Sequence, residues 1–354
     1  MSEPRHVVVV GGGIIGLATA YRFARAAWRV TLVDPSPARG ATWAAAGMLA
    51  PSAELLPGEE ENLNQQRRAV AEWQTLSDEL AELVGRGPTI TLRGTLLVGW
   101  DASDRALAAQ FAHVAREANV EVRVVRREDE PELFAEVSPR VVEGYLFDGD
   151  GWIDPDDAVA TLLSANQQLG VDVVPETVRR VESSTDGVVA IGDSIKIHAD
   201  YGVLTTGAQP LPEGAKGRHV VRPIRGITTR LTGLDRSRQP TLRAYVRGRS
   251  FYLVSRPDAY CVIGATAEER PEARVEFGEL ARLMRDALEI VPGLDGAEYL
   301  ETRYGLRPVS TDLDPFIELL DDGRWIWASG HYRHGVTMAP LASSAIYSFV
   351  SQLS

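Results

Sequence analysis

His6-Val7-Val8-Val9-Val10-Gly11-Gly12-Gly13-Ile14-Ile15-Gly16 is the stretch that decides the fold. Four consecutive valines read as a strand buried on both faces of a parallel sheet. Apolar residues then recur at helical spacing from Ile14 to Ala27, and Arg29 to Val33 reads as a second strand ending at Asp34. Strand, glycine turn, helix and strand make a βαβ unit with a right-handed crossover. The turn is a GxGxxG. Gly11 permits the tight turn, Gly13 lets backbone approach a pyrophosphate, and Gly16 lets the helix pack closely on the strand. The phosphates belong at the helix N-terminus, beside Ile14 and Ile15, where free N–H groups and the dipole favour anions. Asp34 is placed to accept from ribose hydroxyls, and its charge disfavours a 2′-phosphate. The motif alone does not separate NAD from FAD.

Outward from this unit, Glu59 to Val84 reads as a long amphipathic helix, with Val70, Trp73, Leu76, Leu80 and Leu83 on one stripe. Gly94 to Trp100 and Val120 to Val125 read as strands around a helix from Asp104 to Ala118. Asp154-Pro155 starts another helix, as cap and first position. Val171 to Val174 and Tyr201 to Leu204 read as further strands of the nucleotide-binding layer. From Arg222 to Thr266 the pattern changes to strands with short polar connections: Ile227 to Leu231, Leu242 to Val246, Phe251 to Val254 and Tyr260 to Ile263. That predicts an antiparallel sheet. Phe277 to Ile290 reads as a helix, Trp325 to Ala328 as a buried strand, and Met338 to Leu353 as a last helix. Two architectures alternate along the chain, so the domains interleave.

Composition narrows the function. The 354 residues are 44% hydrophobic, enough for one large or two smaller cores, with a net charge of -12. No basic stripe stands out, which speaks against nucleic acid and anionic membrane. The single cysteine, Cys261, cannot form an internal disulfide and reads as a core residue. No Cys/His cluster or HExxH occurs, so no metal is expected. Asp148-Gly149-Asp150-Gly151 lacks the glutamate of a calcium loop twelve positions on, where Val159 stands. Met1-Ser2-Glu3-Pro4-Arg5 has no signal-peptide character, and no stretch is long enough to span a bilayer, so a cytoplasmic protein is expected.

Gly40-Ala41-Thr42-Trp43-Ala44-Ala45-Ala46-Gly47-Met48-Leu49-Ala50-Pro51 follows the ribose acid. Such small side chains let backbone approach a large planar ring; a tightly packed helix is the alternative. Later come Phe251-Tyr252-Leu253-Val254-Ser255-Arg256, Val262-Ile263-Gly264-Ala265-Thr266, Tyr304-Gly305-Leu306-Arg307-Pro308, and Gly330-His331-Tyr332-Arg333-His334-Gly335-Val336-Thr337-Met338-Ala339-Pro340. Read by themselves, Gly-Leu-Arg307-Pro sets an arginine in an apolar segment, where its fork suits a carboxylate or an internal ion pair. Tyr252 is either a phenolic donor to the same anion or a core tyrosine. Arg333 is a fixed cation or a surface arginine. His331 and His334 invite a base role, but structural roles are preferred.

Together these stretches resemble the D-amino acid oxidase family, and within it the glycine oxidases of the ThiO type, from residue 6 to about 350. Thr205-Thr206-Gly207-Ala208 also resembles a turn of two-dinucleotide-domain flavoproteins, with Val178 near the adenine. The resemblance implies an α/β fold with a GR2-type, Rossmann-like FAD domain on a parallel sheet (1–86, 145–222 and 305–354). It also implies a substrate domain with a mixed or antiparallel sheet (87–144 and 223–304). It implies non-covalent FAD, held by Gly11, Gly13, Ile14, Ile15, Gly16, Asp34, Thr42, Ala45, Ala46, Gly47, Met48, Val178, Thr206 and Gly207. The stretch Gly330, His331, Arg333, His334, Gly335, Val336 and Thr337 would steady charge on the flavin. Arg307, Tyr252 and Arg333 become the catalytic set. The expected reaction is hydride transfer from the α-carbon of glycine or an N-substituted glycine to flavin N5, with O2 reoxidising the flavin to give hydrogen peroxide.

Three positions depart from the family pattern. Ala267 stands where glycine oxidases can carry methionine, His334 replaces an asparagine, and Arg225-Gly226-Ile227-Thr228 lacks the usual acidic or amide residue after the glycine. Methionine to alanine opens the amine side of the pocket, so an N-alkyl glycine is an expected substrate. A D-amino acid oxidase, a dehydrogenase with another acceptor, and a flavin-binding sensor are the alternatives. Homo-oligomerisation stays open.

Overall fold

The valine strand and its neighbours form the parallel layer of a computed structural model that describes residues 4–234, 238–257, 260–320 and 323–353; Met1 to Glu3, part of the N-terminal reading, lie outside them. Six strands run in the order Phe316–Leu319, Trp325–Ser329, Tyr201–Leu204, His6–Val10, Arg29–Val33 and Asp172–Val174. Phe316–Leu319 pairs antiparallel at one edge, and the other five strands run parallel. Val7, Val8 and Val9 are fully buried, as a strand covered on both faces requires. Helices Ile14–Arg25, Glu60–Val84, Pro155–Gln168 and Gly335–Leu353 cover one face, packing Leu17, Trp73, Leu162 and Ile346 into its core.

The last helix starts earlier than the Met338 expected from sequence. Pro340 sits inside it and cannot donate to the Val336 carbonyl. The Trp73 indole donates to that oxygen instead, at 2.8 Å, so the helix reaches back to Gly335 with its backbone satisfied. Likewise Asp101 caps the helix Ala102–Glu117, one turn before the expected Asp104. Asp104 is the third residue of that helix and accepts from the Arg247 and Gly248 N–H groups.

The second layer is broad and mixed. Its eight strands run Glu298–Ser310, Val221–Thr232, Cys261–Gly264, Arg249–Ser255, Thr241–Val246, Thr95–Gly99, Glu143–Phe147 and Arg123–Arg126. Only Thr241–Val246 and Thr95–Gly99 pair in parallel. One face carries a core of its own, with Leu242, Ala244, Leu253, Cys261 and Ile263 under the helix Phe277–Ile290. The other face looks toward the parallel layer. The expected domain cuts at 144/145, 222/223 and 304/305 fall inside three of these strands. Among the described residues, no helix is long and apolar enough to cross a membrane.

Candidate cofactor and substrate site

A cavity of about 910 Å³ lies between the C-terminal ends of the parallel strands and the facing side of the broad sheet. It reaches from Asp34, Glu176 and Val178 to Tyr252 and Arg307. Strand ends and domain interfaces are where such sites form in α/β proteins.

The glycine turn follows the first strand. Gly11 has φ +103°, and a Cβ there would lie 2.5 Å from the Thr205 carbonyl oxygen. A Cβ on Gly16 would lie 1.9 Å from the Gly11 oxygen. Both glycines are therefore demanded by the fold. Gly13 differs: its nearest neighbour would be Thr42 Oγ1 at 3.5 Å, so backbone is bared to the cavity without internal need. Gly12 N–H donates to Asp34 Oδ2 at 2.6 Å, and Ser36 N–H to Oδ1 at 2.7 Å, which orients the carboxylate at the cavity wall. The Ile14 N–H is taken by Thr42 Oγ1 at 3.1 Å. Thr206 Oγ1 is buried without a partner among the described residues and its residue lines the cavity, as expected where a polar ligand completes it.

The small-residue run is held by its carbonyls. Thr228 Oγ1 donates to Ala44, Arg256 to Ala46, and Thr337 Oγ1 to Met48. Gly47, at φ +71°, has no room for a Cβ against Ile153. Thr42, Ala45, Ala46, Gly47 and Met48 line the cavity as a mostly small-sided wall. Exposed glycine backbone, an oriented acid, an orphan hydroxyl and this wall fit a flavin dinucleotide.

At the other end, Arg307 donates to the Thr266 carbonyl at 3.0 Å and has no acidic partner among the described residues. It lies over Gly226, where a Cβ would come within 2.3 Å of the guanidinium. Tyr252 lies over Gly264 in the same way, its ring 2.5 Å from where a Cβ would be. Burial pushes the Tyr252 phenol up to about 12 although Arg307 beside it pulls down, so the hydroxyl stays a donor. Ala267 lines the cavity next to Thr266.

The structure brings together Arg307, Tyr252, Ala267, Gly11, Gly13, Ile14, Ile15, Asp34, Val178, Gly207, His331, Gly335 and Val336 on this cavity. It places others elsewhere. Gly16, Gly330, His334 and Thr337 stand behind the wall. Arg333 lines the cavity, but its guanidinium pairs with Glu59 and donates to the Glu54 carbonyl at 2.8 Å, so its charge is met internally. Burial lowers His331 to about 4 and His334 well below its ordinary value, leaving both rings neutral at neutral pH.

Sequence reasoning missed Arg243, Tyr245 and Glu54, which also line the cavity. The available signal was alternation: Leu242, Ala244 and Val246 face the broad sheet's own core, which turns Arg243 and Tyr245 to the other face.

The DAO family model, described as FAD dependent oxidoreductase, matches residues 6–347. The bifunctional protein ThiO/ThiG of Synechocystis sp. is 29% identical over 361 residues, covering 98% of this chain and 51% of that protein. The chain thus spans about half the length of the ThiO/ThiG relatives it matches. A glycine oxidase of Geobacillus kaustophilus is 26% identical, covering 99% of this chain and 94% of that one. Among solved structures, glycine oxidase from Geobacillus kaustophilus superposes with a TM-score of 0.87 at 23% identity, covering 98% of this chain and 95% of that one. Iminodiacetate oxidase from Chelativorans sp. BNC1 superposes with a TM-score of 0.85 at 24% identity, with the same coverages of 98% and 95%. These likenesses carry the fold.

Proposed function

Because the chain belongs to the DAO family of FAD-dependent oxidoreductases, we propose that it oxidises glycine or an N-substituted glycine at the carbon–nitrogen bond. The observation that carries this reading is Arg307: a guanidinium with no acidic partner among the described residues, beside a protonated phenol, at the far end of a cavity that begins at a dinucleotide-binding turn.

In this reading Arg307 and Tyr252 hold the substrate carboxylate through charge-assisted donors. That fixes the α-carbon over the wall formed by Ala45 and Ala46. The bound flavin supplies the two-electron acceptor. His331, lowered to about 4 by burial, is too weak a base to take a proton from an ammonium substrate, so the amine enters deprotonated from solvent. The amine R–NH–CH2–COO⁻ plus O2 and water gives R–NH2, glyoxylate and hydrogen peroxide, with ammonia as the amine when R is hydrogen. Residues 1–86, 145–222 and 305–354 would carry the cofactor and, through Arg307, the carboxylate anchor, while 87–144 and 223–304 would supply the rest of the substrate wall, Tyr252 and Ala267 included.

A peroxide-release screen of the purified protein tests this with glycine, sarcosine, longer N-alkyl glycines and D-amino acids. Glycine-type amines should be turned over. If none of them bleaches the flavin without oxygen, the reading is wrong; if they bleach it but no peroxide forms in air, the acceptor is not O2.

A further inference from the structure

Arg243 is a buried cation on the cavity wall that the reaction above does not use. It lies in mid-strand, with its Cα opposite that of Tyr252, so both side chains rise from one face of the sheet. The strand order is Glu298–Ser310, Val221–Thr232, Cys261–Gly264, Arg249–Ser255, Thr241–Val246. Arg307 and Arg243 therefore stand on opposite sides of Tyr252.

The environment of Arg243 offers it almost nothing. The residue is 6% exposed. Its guanidinium carbon lies 5.7 Å from the Phe111 ring centroid and 5.8 Å from that of Tyr245. Among the described residues its one hydrogen bond is a long one, Nη2 to Tyr245 Oη at 3.4 Å. Nη1 is buried with no partner among the described residues, and no carboxylate among them forms an ion pair with it. A desolvated cation without an anion is expensive, and a site that retains one has an anion arriving from elsewhere. The internal competitor is Glu54, which also lines the cavity. Arg333 holds the Glu54 backbone carbonyl, and the Glu54 carboxylate makes no ion pair among the described residues.

We propose that Arg243 receives a second anionic group of the substrate, so that the enzyme takes amino acids carrying one carboxylate for Arg307 and another at the opposite end. The inference rests on the reading of Arg307 as carboxylate anchor. The second anion is borne either by the substituent on nitrogen or by the α-carbon; the chemistry at Arg243 is the same.

The test is kcat/KM of the holoenzyme for matched pairs. N-(carboxymethyl)glycine is set against N-ethylglycine, N-(2-carboxyethyl)glycine against N-propylglycine, and D-glutamate against D-glutamine. At least one dianion should exceed its neutral partner by about 30-fold or more, the scale of a buried charge pair, and Arg243→Met should collapse that ratio to near one. A ratio near one in the wild type, or unchanged in Arg243→Met, overturns the proposal. Superiority of D-glutamate keeps Arg243 and removes the N-substituted glycine. Should no compound be turned over, the functional reading fails by itself. The thermal upshift of the holoprotein by glutarate over butyrate then decides Arg243: its presence, and its loss in Arg243→Met, support the proposal, and its absence overturns it.

Discussion

At the residue scale, the proposed reaction turns on two side chains, Arg307 and Ala267, both on the cavity wall. Arg307 has a carbonyl and a phenol for company but no acid among the described residues, so its charge is free for a ligand. Arg307→Leu should keep the flavin and lose roughly 30- to several-thousand-fold in kcat/KM, from about 2–5 kcal/mol for a lost charge-assisted pair. Near-normal steady-state kinetics would remove Arg307 from the site. Ala267 adds room on the cavity wall. Ala267→Met should suppress turnover of N-substituted glycines relative to glycine, read as the ratio of their kcat/KM values; an unchanged ranking would show that Ala267 does not face the amine. That Arg307 and Tyr252 would line the cavity was legible, because an arginine in an apolar tetrad, Gly-Leu-Arg-Pro, has few uses. Arg243 was not. Alternation puts it on the face opposite the core, which a sequence reads as solvent, and only the fold shows that face to be covered by a cavity.

At the scale of elements, the glycine turn separates folding from binding. A Cβ at Gly16 meets backbone at 1.9 Å, whereas one at Gly13 meets only a hydroxyl at 3.5 Å. Gly13→Val should thus fold, with far-UV circular dichroism and melting cooperativity like those of the wild-type apoprotein, and purify colourless. Gly16→Val should fail to accumulate as soluble protein. A yellow Gly13→Val protein would show that the pyrophosphate does not pass there. Strands and helices with strong periodicity, such as Phe277–Ile290, were readable to the residue. The start of the last helix was not, because by local rules Pro340 belongs in a helix's first turn, whereas this helix begins at Gly335. The compensation is the indole of Trp73, distant in sequence.

Across the whole molecule, one chain threads two sheets, and of the four expected cuts three, at 144/145, 222/223 and 304/305, lie inside strands. Hydrophobic patterning does not mark where a long strand passes from one layer's environment to the other's. Cys261 belongs to the core on the face turned away from the cavity. Acid precipitation of the holoprotein should accordingly leave all flavin in the supernatant; colour in the pellet would refute a non-covalent cofactor. The two buried histidines set a pH limit on stability. His331 titrates near 6.5 when unfolded and at about 4 when folded. Its contribution is complete above pH 6.5 and is lost as pH falls toward 4, because the unfolded chain binds the proton first. At 1.36 kcal/mol per pKa unit, His331 costs about 2 kcal/mol between pH 7 and pH 5, and His334 adds in the same direction. Urea denaturation in excess FAD should show His331→Gln losing about 2 kcal/mol less than wild type over that interval. Equal losses would mean that His331 is protonated in the native state.

The long ladder between Val221–Thr232 and Glu298–Ser310 has a historical meaning as well. It carries Arg307, and Val309 on the same strand bridges to His331 ahead of the last helix, so the acid-binding end is bolted to both layers at once. The positions proposed to choose the substrate, Ala267 next to Thr266 and Arg243 across from Tyr252, are single side chains on the cavity wall. A lineage built this way can change what it eats by one codon at a time while the chemistry stays put, and its descendants should diverge in diet long before they diverge in reaction.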